Sequence, residues 1–136
     1  MLAAVVLLAV LQAADGTDVA ASFSGYVRGE RWDFKVTRTM LAQAPAWEDA
    51  ELSPPLPPRR AVAIAAAQLA ELLPDSSKWG LRRVSLQQLL GGTRWVYVIE
   101  YGGPPPTPVG GMTMENVPIV VLMNGTTVVP TRSPWR

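Results

Sequence analysis

Apolar residues recur along this chain with two different spacings, and the change from one to the other organises it. In residues 58–73, PRRAVAIAAAQLAELL, the residues Val62, Ala66, Leu69 and Leu73 stand at i, i+4, i+7 and i+11, one stripe of a helix. Gln68 and Glu71 fall on the opposite side. Alanine is the strongest helix former, and its small side chain lets a helix sit close to a sheet. Pro58 suits a first helical turn, where its missing N–H is not needed, and Pro74 cannot continue the ladder. The pattern predicts one alanine-rich helix that buries Val62, Ala66, Leu69 and Leu73 against a sheet.

Elsewhere the spacing is two. Residues 31–37, RWDFKVT, put Trp32, Phe34 and Val36 on one face and Arg31, Asp33 and Lys35 on the other, a half-buried strand whose charges also blunt an edge. In residues 79–86, WGLRRVSL, the apolar parity changes from Trp79 and Leu81 to Val84 and Leu86. One extra residue near Arg82 and Arg83 restores a single face, so a β-bulge is predicted there. Gly91-Gly92 reads as a turn into residues 94–101, RWVYVIEY, which are apolar on both faces and so predict a central strand. Residues 117–123, VPIVVLM, are similar, with Pro118 near the start. Asn124-Gly125 then signals a type I′ hairpin turn into a strand at 126–129.

Between these elements the signals are weaker. Residues 15–29 are small and polar with Phe23, Tyr26 and Val27 as isolated anchors, a lead-in holding at most a short strand. Residues 40–58 read as a connector whose Pro54, Pro55, Pro57 and Pro58 enforce extended geometry, either as a stiff crossover or as a ligand for an aromatic groove. Residues 102–116, GGPPPTPVGGMTMEN, form a long loop without periodicity whose Gly and Pro content predicts disorder, and residues 131–136 an extended tail.

The unbroken apolar run at residues 2–11, LAAVVLLAVL, is too short for a membrane span but fits the core of a signal peptide. Cleavage is expected after Ala13 or Ala14, although no Lys or Arg precedes the run. The expected product is exported, periplasmic or secreted, and has no stable membrane anchor. With no cysteine it cannot carry a lipoprotein anchor and must fold by packing alone.

Charge and residue types narrow the chemistry. Twelve Lys and Arg against eleven acids leave a net charge of +1, which gives no basis for nucleic-acid binding. The chain has no histidine and no cysteine, which removes Ser-His-Asp and Cys-His nucleophiles, histidine metal sites and zinc fingers. No cofactor or metal is expected: Gly102-Gly103 and Gly110-Gly111 lack the helix and lysine of a phosphate loop. Glu48, Asp49 and Glu51 form a carboxylate cluster only in sequence, and Arg59 and Arg60 in the first helical turn read as solvated charges. The sequon Asn124-Gly125-Thr126 falls in a tight turn. The acid inside a strong element is Glu100, the candidate base if the protein is an enzyme.

The helix end ELLPDSS, the strands WGLRRVSLQ and RWVYVIEY and the closing VPIVVLMNGTTVV together resemble bacterial PepSY and PepSY-like domains. The chain is also similar to a group of uncharacterised exported bacterial proteins with a Pro-rich lead into an Ala-rich helix. The resemblance spans residues 54–130 and departs from the family in its Asn124-Gly125 turn, where PepSY domains carry Asp-x-x-Thr-Gly, and in the additional strand at 31–37. It implies a cystatin-like shape and non-covalent work, such as restraining a peptidase or binding an envelope protein, and supplies no functional residue.

The expected fold is therefore α+β, cystatin/PepSY-like, with one Ala-rich helix on an antiparallel sheet of about four to five strands. It is organised as a signal peptide (1–14), an N-terminal strand and connector (15–53), an α+β domain (54–130) and a tail (131–136). Large side chains are needed above small alanines, so Trp95, Tyr97, Ile99 and Tyr101 are assigned to the helix side. That leaves Val96, Val98, Glu100, Val120 and Leu122 on the other face. Either residues 15–37 fold across this face, or it is an exposed patch that binds an envelope protein, a peptide or a second copy. The functional expectation is a small non-enzymatic binding or inhibitory module of the envelope, with a Glu100-dependent enzyme as the alternative.

Overall fold

The computed structural model describes residues 18–104 and 115–135; the expectations for the signal peptide and for most of the 102–116 loop lie outside them. In chain order the elements are β1 (Val19–Val27), β2 (Glu30–Thr37), α1 (Arg38–Gln43), α2 (Pro58–Leu72), β3 (Gly80–Leu89), β4 (Arg94–Gly102), β5 (Asn116–Leu122) and β6 (Thr131–Pro134), with a 3-10 turn at Ser76–Lys78. One main helix and a six-stranded antiparallel sheet of order β3-β4-β5-β1-β2-β6 make the fold α+β.

Helix α2 begins where the alanine pattern places it, with Pro57 extended just before Pro58. Its buried line is Ala61, Ala65 and Leu69, continued by Leu73 at the C-cap. Leu69 and Leu73 are as expected, whereas Val62 is only half-buried and Ala66 is exposed. Every position around an alanine-rich helix is small or apolar, so the pattern has little contrast. The line of closest approach to the sheet takes alanines, and the bulkier Val62, Ile64 and Leu72 pack partly buried against the core beside it.

Strand β4 is central and buried on both sides, as its composition predicts. Its register pairs Tyr97 with Val121, Ile99 with Ile119 and Tyr101 with Val117, so these side chains share one face. The helix and its lead-in occupy that face: α2 approaches β4 and β5, and the buried Tyr97 hydroxyl donates to Leu56 O at 2.6 Å. Burial raises the Tyr97 and Tyr101 phenols above their ordinary pKa.

The residues before position 38 behave differently from the sequence expectation. What reads as a lead-in is the nine-residue strand β1, paired with β2 from Val27↔Glu30 to Val19↔Thr37. β2 is not an edge, because β6 pairs on its outer side. The supposed tail is thus a strand. It is fixed by the Arg132 guanidinium 4.1 Å above the Trp32 ring and by Trp135 against Tyr26. α1, inside the supposed connector, starts where the Thr37 hydroxyl accepts from Met40 N at 3.1 Å. At the last turn Gly125 has positive φ and Asn124 does not, so the turn is not type I′. After it there is an isolated Val121↔Thr127 bridge rather than a strand at 126–129.

β1 meets β5 at a single pair, Tyr26↔Asn116, and then leaves it. Pro118, two residues on, has no N–H to extend a ladder. At Gly25 an added Cβ would collide with Asn116 O and stand 2.8 Å from Pro118 Cδ. The β1–β2 hairpin therefore folds across β5 instead of continuing flat, and β2 approaches β5 although β1 separates them in the sheet order. Trp32, Phe34 and Val36 are buried under it, and Leu41 of α1 closes one end.

Two predictions test this packing. Ala65→Leu should destabilise by about 1–3 kcal/mol through overpacking, and Ala66→Leu should stay within about 0.5 kcal/mol, as read from denaturant midpoints. On the outer face of the hairpin, the Asp33 carboxyl is held below its ordinary 3.8, first by the Ser24 hydroxyl donating at 2.5 Å, with Arg31 and Lys35 adding and partial burial opposing. A depressed folded-state pKa stabilises fully above 3.8, and this stabilisation is lost as pH falls through the folded value. Asp33→Asn should cost less than about 1 kcal/mol at neutral pH, given solvent screening, and the gap to wild type should close in acid.

Candidate functional site

Of the expected interaction face, Val96, Val98, Val120 and Leu122 are all 3% exposed or less. The first alternative holds: the β1–β2 hairpin covers this face, so these four side chains are core and form no open patch. Only Glu100, at the end of the row, reaches the surface, with its side chain one third exposed.

The chemistry that is exposed lies on β3. Its register against β4 slips between Leu81 and Arg83, which makes Arg82 the extra residue of a bulge where the parity change predicts one. Beyond it Val84 pairs with Ile99 and Leu86 with Tyr97, while Leu81 pairs with Tyr101. The bulge thus restores one face, the helix side. Sharing that face does not bury all of its members. Trp79 is buried and Leu86 half-buried, but Leu81 is 50% and Val84 41% exposed. α2 approaches the strands beside β3, and the apolar row continues outward past its cover.

The same bulge builds a polar corner. Arg82 lies across Gly102, where any Cβ would collide with its guanidinium. Arg83 Nε stands 3.5 Å from Glu100 Oε2. Arg82, Arg83, Glu100, Tyr101 and Asn116 line an open cavity of about 310 Å³. Nearby, Arg28 is ion-paired to Asp75, and its backbone N–H donates to Glu115 Oε1 at 2.8 Å. Glu100 is therefore one member of a charged rim, and among the described residues the cavity wall includes no second carboxylate.

Glu48, Asp49 and Glu51 are exposed, and among the described residues no three acids gather as a metal site. Arg59 and Arg60 are exposed on the first turn of α2. The Pro-rich segment is a packed crossover: Trp47 lies against Trp95 with centroids 5.2 Å apart, its Nε1 donates to Glu51 O at 2.9 Å, and Leu56 is buried. Sequence reasoning located the bulge and its arginines but not the free edge, because strand order is a long-range property that alternation does not encode.

Comparison of the chain with protein-family models, with curated proteins and with solved structures gives no match.

A charge at the centre of the covered face tests the assignment. Val98→Asp should unfold the domain, since an unpaired buried carboxylate costs several kcal/mol against a total of about 5–15, and loss of the near-UV circular dichroism would report it.

Proposed function

We propose that this chain is a small, exported, non-enzymatic binding or inhibitory module of the bacterial envelope, PepSY-like in shape, and that it engages its target through the β3 edge. The observation that carries the reading is the contrast between the two ends of the sheet. β6 is four residues long and ends in Pro134, features that discourage further pairing. β3 is ten residues long, contains no proline, and among the described residues pairs only with β4. Its defences, the bulge and the two arginines, sit at one end, which leaves the stretch from Val84 to Leu89 open for an added strand. Main-chain hydrogen bonds would supply affinity, the exposed Val84 and half-buried Leu86 would read alternate side chains of the incoming strand, and Leu81 extends the same apolar row just past the bulge.

A Glu100-dependent reaction is the weaker reading, because that carboxylate stands against Arg83 on an open corner. The edge reading is tested by display selection of extended peptides on the wild-type protein, followed by scoring against the doubly charged variant Leu81→Lys, Val84→Lys. Both positions are exposed, so the variant should fold. Selected peptides should bind it at least about tenfold more weakly than wild type, the equivalent of about 1.4 kcal/mol. Binders indifferent to the substitutions would overturn the proposal.

A further inference from the structure

We infer that the strand accepted by the β3 edge is β3 of a second copy of this chain, paired antiparallel about a two-fold axis at Ser85. This rests on the reading of β3 as the binding edge and adds the identity of its occupant. The bulge at Arg82 bounds the regular stretch on one side, and the turn formed by Leu90, Gly91 and Gly92, all at positive φ, bounds it on the other. Within that stretch the strand is complementary to itself. With Ser85 opposite Ser85, Val84 of each copy faces Leu86 of the other, and Arg83 faces the neutral Gln87. Val84 and Leu86 lie on the face of Ile99 and Tyr97, so both apolar pairs continue the helix-side row across the junction.

Other registers do worse by the same two criteria. Parallel in-register pairing sets Arg83 against Arg83, a like-charge contact. An axis at Leu86 leaves one Leu86–Leu86 pair and turns Val84 toward Gln88. An axis at Val84 sets Leu86 against the bulged Arg82. Only the Ser85 axis keeps both apolar pairs and separates the arginines. α2 lies over β4 and β5, so the two helices stand on the same side of a continuous twelve-stranded sheet, twice the six strands of one copy.

The chain has no cysteine, which makes the test direct. Opposed residues of antiparallel strands have Cα atoms about 4.5–5.5 Å apart, within disulfide reach. Ser85→Cys in the full chain should sediment as a dimer and cross-link to completion under mild oxidation, whereas Leu52→Cys, fully exposed elsewhere, should not cross-link above background. Val84→Lys should keep the wild-type circular dichroism and weaken the dimer about tenfold or more. A wild-type protein that sediments as a monomer at every accessible concentration, or a dimer in which Cys at 85 fails to cross-link, would overturn the inference. A monomer that still selects edge-binding peptides sensitive to Leu81→Lys, Val84→Lys would leave the binding-edge reading standing. A monomer that selects none would remove both.

Discussion

The close approach of β1 to β5 at Gly25 is the constraint on which the rest of the structure depends. A side chain there would strike the Asn116 carbonyl and crowd Pro118, so the strands can only cross at this distance through a glycine. Pairing between them stops after Tyr26↔Asn116, and the hairpin bends over β5 rather than continuing the sheet flat. From that turn follows the burial of Val96, Val98, Val120 and Leu122 on one side of β4–β5 and of Trp32, Phe34 and Val36 beneath the hairpin. A single alanine-rich helix could not have covered both faces of two strands that are apolar on both sides.

The two halves of the core are then closed by different means. On the helix side the cover is small residues at close range, helped by the crossover: Leu56 lends its carbonyl to the Tyr97 hydroxyl, and Trp47 packs on Trp95. On the hairpin side the cover is large residues, with α1 at the end, where Arg94 donates to the carbonyls of Leu41 and Ala44 at 3.1 and 2.8 Å. A buried phenol without an acceptor would lose about 1–3 kcal/mol, so the proline-rich segment has a structural duty that its composition alone does not announce.

What could be read from the sequence was local. The helix, the central strand, the bulge at Arg82 and the glycine turn at Gly91-Gly92 are each fixed by spacing or by backbone permissiveness within a few residues, and each is where the pattern puts it. The misses were long-range. β1 is rich in Ala, Ser and Gly, residues of weak strand preference, and it is a strand because β2 and the layer beneath hold it there. β6 has no apolar alternation at all, and its pairing rests on Arg132 over Trp32 and Trp135 on Tyr26. The N-terminal half of the helix stripe slipped by one position, from Val62 and Ala66 to Ala61 and Ala65, because an alanine-rich surface offers little contrast. The interaction face was misplaced because alternation reveals that a face is apolar and never what lies upon it.

With that face buried, the proposed binding surface is an edge rather than a face, and the physical demands on the two differ. A sheet face needs a large complementary apolar partner, whereas an edge already displays the donors and acceptors of a missing strand and needs only an extended segment. In this chain both faces of the central strands are consumed by folding, and one edge is shortened and capped by proline. What remains is β3. Its bulge re-aims Arg82 over Gly102 and, by the same insertion, brings Leu81 into line with Val84 and Leu86. A single extra residue thus both blocks the start of the edge with charge and aligns the apolar row along the part that stays open. A strand that only closed the sheet would gain nothing from an apolar row extended beyond its helix, and that surplus is what supports the proposed binding role of β3.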